Sequence, residues 1–119
     1  MKVLAIRYTA RSAELVDFYA ALGLAVDVAS RTGEWIELTS SSAAIAVHAA
    51  EPDEPRCAAG IVELAFEADD PLEAVRERLN QAGFPAAVIV DEAYGRSLRI
   101  LDPEGVPVQV NEFDRELYT

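Results

Sequence analysis

The chain has 119 residues, of which 51% are hydrophobic and 26% charged, enough for one domain or for two small modules sharing a core. Twenty-one acidic against ten basic residues give a formal net charge of −11, a field that repels a phosphate backbone, and no basic cluster offsets it because Lys2 is the only lysine. No apolar run approaches the roughly 20 residues that cross a bilayer, and Met1 to Arg7 is too short and too soon charged for a secretory leader. A cytoplasmic protein with neither nucleic acid nor membrane as partner is therefore expected.

Residues 2–8 read as a strand, and residues 12–22 as a helix with Leu15, Phe18, Tyr19 and Leu22 on one face. Gly23 ends that helix where a left-handed residue is wanted. Strands follow at 24–30, 33–39 and 43–49. Glu51 to Gly60, with two prolines and three acidic residues, reads as a linker. It holds the single cysteine, Cys57, which excludes an intramolecular disulfide and has no evident base beside it.

The order then repeats. Ile61 to Ala68 is a strand. Asp70-Pro71-Leu72-Glu73 reads as a helix start, with Asp capping, Pro in the first turn and Glu reaching back. Leu72, Val75, Leu79 and Ala82 form the apolar face of that helix, and Gly83 stops it. Strands are expected at 85–91, 96–101 and 106–112. The last two flank Asp102-Pro103-Glu104-Gly105, whose Asp, Pro and Gly occupy the turn positions that suit them. Phe113 to Thr119 is a tail that could lie over a binding site, cross to a partner chain or fray.

Gly23 and Gly83 lie 60 positions apart, and Ile36-Leu38 and Leu98-Ile100 lie 62 apart. Conservation of helix, stop and strand phase together implies two βαβββ modules, at 1–50 and 61–112, joined by the linker 51–60 within a single domain 1–119. The fold class expected is α+β, with curved mixed sheets and a helix on one face of each.

Strand alternation sorts the side chains. Ile36, Leu38, Ile45, Val47, Val62, Leu64, Phe66, Leu98, Ile100, Val106, Val108 and Val110 go beneath the helices. The other face then carries Trp35, Glu37, His48, Glu63, Glu67, Arg99, Gln109 and Asn111. Indole, imidazole, carboxylates, one guanidinium and amides suit the lining of a concavity better than a plain wet surface. Tyr8 either walls the same space or packs on a helix. Arg99 either holds a substrate carboxylate or pairs with Glu37 or Glu63.

Phe18-Tyr19 with Leu22-Gly23-Leu24, Trp35-Ile36-Glu37-Leu38, Glu63 through Asp70, and Gly95 through Glu112 together resemble the vicinal oxygen chelate superfamily. That superfamily includes glyoxalase I, extradiol dioxygenases, fosfomycin-resistance transferases and bleomycin-binding resistance proteins. The resemblance implies a glyoxalase-like fold, with paired βαβββ modules forming a cleft, often in a homodimer. It also implies a divalent metal held by His, His and Glu. Carried over, the ligand positions fall on Leu4 or Ala5, on Glu63, on Gln109, and near Ala46 with His48 two residues on. One carboxylate and one neutral amide hold Zn, Fe or Ni poorly, so neither metal nor other cofactor is expected.

Three functions fit these residues. The first is a metal-free binding protein for a cationic or aromatic ligand, an antibiotic among the candidates, with Trp35, Glu37, His48, Glu63, Glu67, Arg99 and Gln109 lining the site. The second is a metal-independent lyase or isomerase acting on a small metabolite, with Glu63 as general base, Arg99 as anchor and His48 as proton shuttle. The third is a metalloenzyme with His48, Glu63 and Gln109 as unusual donors.

Overall fold

The structure, a computed structural model, describes residues 1–118. Eight strands and two helices follow one another as β1 (Lys2–Thr9), α1 (Ser12–Ala21), β2 (Ala25–Ser30), β3 (Trp35–Thr39), β4 (Ala44–Ala49), β5 (Val62–Glu67), α2 (Leu72–Gln81), β6 (Val88–Glu92), β7 (Gly95–Leu101) and β8 (Pro107–Phe113). The backbone groups into two compact units. One is Leu4–Glu63; the other is Met1–Val3 together with Leu64–Tyr118.

In the unit Leu4–Glu63 the strand order is β2-β3-β4-β1. β2, β3 and β4 are antiparallel, and β1 lies parallel to β4. Ile36, Leu38 and Val47 form a buried cluster against which Leu15, Val16, Tyr19, Leu24 and Ile45 pack. The face of α1 is therefore not the one the spacing predicts, since Phe18 is 58% and Leu22 65% exposed. Val16 takes the inward position that Phe18 was expected to hold, which turns Phe18 off the sheet, and Leu22 lies beyond the last helical turn at the C-cap. Gly23 closes the helix as expected: its N–H donates to Ala20 O at 3.0 Å and that of Leu24 to Tyr19 O at 3.2 Å.

In the other unit the order is β5-β8-β7-β6, with β5 parallel to β8 and the rest antiparallel. Leu72 and Val75 of α2 are buried with Leu98 and Val110, and Phe66, Leu79, Ile89 and Ile100 pack around them. Val62 and Leu64 do not join this cluster. They are 63% and 58% exposed, because β5 pairs with β8 only from Ala65 to Glu67, and Phe66 alone of the three lies where α2 packs. Val106 is exposed for a like reason, standing just before β8 begins.

The start of α2 also differs from its expected form. Pro71, with φ −54°, is itself the N-cap, so Asp70 stands one residue too early to cap. Asp70 instead pairs with Arg78 at 3.2 Å, and Glu73 accepts two hydrogen bonds from Arg96 at 2.8 and 3.0 Å. The helix's first N–H, of Leu72, donates to Glu112 of β8 at 3.4 Å, and Glu112 also accepts from Arg96 at 3.0 Å. A distant strand thus caps the helix.

The Asp102–Gly105 turn forms as its residues imply. Asp102 Oδ1 accepts from the N–H groups of Glu104 and Val106, each at 2.9 Å. The repeat runs further than the sequence pattern suggests. Short 3-10 turns occupy Pro55–Cys57 and Arg115–Leu117, 60 positions apart, in segments read as linker and tail. The residue before each, Glu54 and Asp114, accepts a hydrogen bond from the N–H two positions on, at 3.2 and 3.1 Å.

Gly95 has no room for a side chain: at φ +142° an added Cβ would meet the Glu112 carbonyl oxygen at 2.1 Å. Gly105, at φ +82°, has nothing within 4 Å. Gly95→Ala is therefore expected to cost at least about 3 kcal/mol in chemical denaturation, and Gly105→Ala about 1 kcal/mol. Equal losses would contradict the close approach. The hydrogen bonds from Arg96 hold the Glu73 carboxyl below its ordinary range. A depressed native pKa adds stability above the unfolded value, and that increment disappears as pH falls through the native one. The stability gap between the parent protein and Glu73→Gln should thus close as pH drops below about 4.3; a gap constant from pH 7 to pH 3 would refute the pairing.

Candidate functional site

On the face of the Leu4–Glu63 unit away from the α1 cluster, register sets three rings in a row. Tyr8 of β1 lies opposite His48 of β4, and His48 lies opposite Trp35 of β3. The Tyr8 and His48 rings are 5.0 Å apart, and Trp35 meets His48 edge-on at 5.8 Å. Two residues along β3, Glu37 is only 1% exposed and accepts a hydrogen bond from Trp35 Nε1 at 2.9 Å. Its cross-strand neighbour is Ala46. Leu4, Ile6, Ala44 and Ala46 are buried on the same strands.

Tyr8 belongs to this face and not to the cluster under α1. Burial raises its phenol far above the usual range, and the charge of Glu63 raises it further. The Tyr8 hydroxyl is hydrogen-bonded to the Cys57 thiol, which in turn bonds to Glu51. Burial is also the main cause that lifts the Cys57 thiol. Both groups are therefore held in the protonated form near neutral pH, and the Cys57 thiol ties its 3-10 turn to Tyr8. Glu63 acts electrostatically on both.

The unit Met1–Val3 with Leu64–Tyr118 has a different lining on the face opposite α2. Register brings Ala65 beside Gln109, Glu67 beside Asn111, Ser97 beside Asn111, and Arg99 beside Gln109. Ser97 and Asn111 are buried. Asn111 Oδ1 accepts from the Tyr94 hydroxyl at 2.9 Å, and its Nδ2 donates to Gln109 Oε1 at 3.0 Å. Arg99 donates from Nε to Ser97 Oγ at 2.6 Å, and from Nη2 to Glu92 at 3.3 Å and the Tyr94 hydroxyl at 3.4 Å. The ion partner of Arg99 is thus Glu92 on the adjacent strand. Glu67 faces Lys2 at 3.7 Å and Arg115 at 3.6 Å, which offsets its charge.

Trp35, Glu37, His48 and Glu63 accordingly fall in one unit, with Glu67, Arg99 and Gln109 in the other. The sequence pattern does not mark Glu51, Glu92, Tyr94, Ser97 or Arg115 as members of these networks. The strand phase that selects Arg99 and Gln109 does place Ser97 and Asn111 on their face. Nothing local marks Glu92, Tyr94 or Arg115, whose roles depend on the β6–β7 hairpin and the tail folding back.

The positions that would ligate a metal in the resembling superfamily do not fit one. Leu4 and Ala46 offer only carbon, and the side-chain oxygen of Gln109 already accepts from Asn111. Among the described residues, no three of His, Cys, Asp and Glu gather closely enough to hold an ion. Nor is any described helix long and apolar enough to cross a membrane.

No protein-family profile matches the chain, and no curated protein matches its sequence. Solved structures do match its fold. The NAD-dependent benzaldehyde dehydrogenase of Legionella pneumophila superimposes with a TM-score of 0.67 at 16% identity, covering 94% of this chain and 99% of that one. A glyoxalase/bleomycin resistance protein/dioxygenase superfamily member from Vibrio splendidus 12B01 gives 0.57 at 15% identity, covering 92% and 96%. A protein from Staphylococcus aureus gives 0.57 at 15%, covering 96% and 97%. Such low identities carry the fold and no activity, and the names of the first two already describe different chemistry. Two βαβββ units in sequence, each a mixed sheet with one helix, give the chain a glyoxalase-like α+β fold.

Proposed function

We propose that the chain is a small-molecule binding protein of the glyoxalase/bleomycin-resistance type, sequestering a cationic or aromatic ligand, such as a basic planar antibiotic, without a metal. The row of Tyr8, His48 and Trp35 with the buried Glu37 carboxylate at its side carries this reading. The Trp35 ring face attracts a cation by about 0.5–2 kcal/mol, depending on how dry the site is, and a shielded carboxylate adds a charge that water screens little. Trp35 and His48 are only partly buried, so a planar ligand can reach their rings. Glu51 and Glu63 extend the negative field, and the formal charge of −11 draws a cation in from a distance. The donor chemistry at Leu4, Ala46, Glu63 and Gln109 supports the metal-free form.

Glu63 beside the neutral Tyr8 phenol favours a second reading, a metal-independent lyase or isomerase in which the carboxylate takes a proton. Turnover of a small metabolite that persists in EDTA and disappears in Glu63→Gln would select this reading, and binding without turnover would select the first.

Trp35 is the single tryptophan and reports on the site directly. Titration with a panel of cationic aromatic compounds should give a saturable change in its fluorescence for at least one member, weakening as salt rises. Glu37→Gln keeps an acceptor for the indole N–H while removing the charge. It should weaken binding about 5- to 30-fold in calorimetry, which corresponds to about 1–2 kcal/mol. A flat fluorescence response across the panel, or unchanged affinity in Glu37→Gln, would overturn the assignment.

A further inference from the structure

The proposed ligand site uses the aromatic row of the Leu4–Glu63 unit and leaves the C-terminal segment without a role. After β8 the backbone is pinned by the Asp114 N–H to Tyr94 O at 2.7 Å, and the 3-10 turn Arg115–Leu117 folds the chain back. The Arg115 guanidinium then lies 5.6 Å from the centre of the Phe113 ring and 5.5 Å from that of Tyr118. Its Nη1 donates to the Tyr118 hydroxyl at 3.3 Å, and its Nη2 is 3.6 Å from Glu67 Oε1. Tyr94 packs on Phe113 at 5.4 Å and so steadies that wall. Two ring faces and a carboxylate around one planar cation is the arrangement by which proteins recognise guanidinium and amine ligands. Here the cation belongs to the chain.

A groove of about 570 Å³ opens beside it, lined by Phe113 and Arg115 together with Asp91, Glu92, Glu112 and Asp114, among others. Arg96 is the other cation in that lining, so carboxylates outnumber guanidiniums there. The Arg115 side chain is 41% exposed, and its bridge to Glu67 is of the solvated, readily exchanged kind. Lys2 also lies 3.7 Å from Glu67. Phe113 and Glu67 stand on β8 and β5, so these two walls persist if the tail swings away.

We infer that Phe113, Tyr118 and Glu67 form a receptor for a small guanidinium or amine compound, filled by the tethered Arg115 as an internal competitor that a ligand entering the adjoining groove displaces. This site is distinct from the aromatic row and stands or falls without it. A plug of this kind lowers apparent affinity in proportion to the time it stays closed, so removing it must raise affinity.

Benzylguanidinium serves as the probe, followed by calorimetry and by NMR of the Arg115 side-chain N–H and the Phe113 ring. Binding should shift both signals. Arg115→Ala should tighten binding about tenfold, as for a plug closed about nine-tenths of the time. Adding Glu67→Gln to that variant should remove most of the gain, and the shifts of the Arg115 and Phe113 signals should saturate at their own concentration whatever Trp35 fluorescence does, which separates this site from the one reported by Trp35. Equal or weaker binding in Arg115→Ala, indifference to Glu67→Gln, or a response confined to Trp35 would overturn the inference.

Discussion

A four-stranded sheet has two faces, and each unit of this chain supplies one ten-residue helix to cover one of them. Everything else in the structure depends on that shortage. Strand alternation sends Ile36, Leu38 and Val47, or Leu98, Ile100 and Val110, to the covered side, where apolar burial holds helix and sheet together. The remaining side chains must face a surface without a helix. They satisfy themselves by ring packing, ion pairing and hydrogen bonds, and these are the interactions that recognise ligands.

The two units solve this in chemically different ways on one backbone plan. The first sets Tyr8, His48 and Trp35 in a row of tilted and edge-on rings and buries Glu37 beside them. The second builds a hydrogen-bonded relay from Tyr94 through Asn111 to Gln109, with Arg99 braced by Ser97 and Glu92. Divergence continues into the paired 3-10 turns. Where one turn sets Cys57 against Tyr8, its counterpart opens with Arg115, which reaches Glu67 and two rings. Duplicated geometry therefore carries unlike functional groups, and a fold shared with proteins of different named chemistry leaves activity to those groups.

Much of the architecture was legible beforehand because its causes are local. Period-two runs located the strands to within a few residues, glycine after an apolar helical run marked both helix ends, and Asp-Pro-Glu-Gly marked the β7–β8 turn. The misreadings were also physical. Phe18 and Val16 compete for one inward position on α1, and only the sheet beneath decides between them. Asp70 looks like a cap until Pro71 takes that place and Glu112, 40 positions beyond Leu72, supplies the acceptor. Val62 and Leu64 follow the apolar phase of β5 but precede its pairing with β8, so they stay exposed.

Residue order by itself determined the repeat, the strand phases and hence the set of side chains turned away from the helices, because a pleated strand admits only two directions. Tertiary structure alone decided the partners: Glu92 for Arg99, Cys57 for Tyr8, Glu112 for the start of α2, and Arg115 for Glu67. Those pairings join residues that different strands, hairpins and turns bring together, and a contact made across the fold leaves no period or spacing in the chain that makes it.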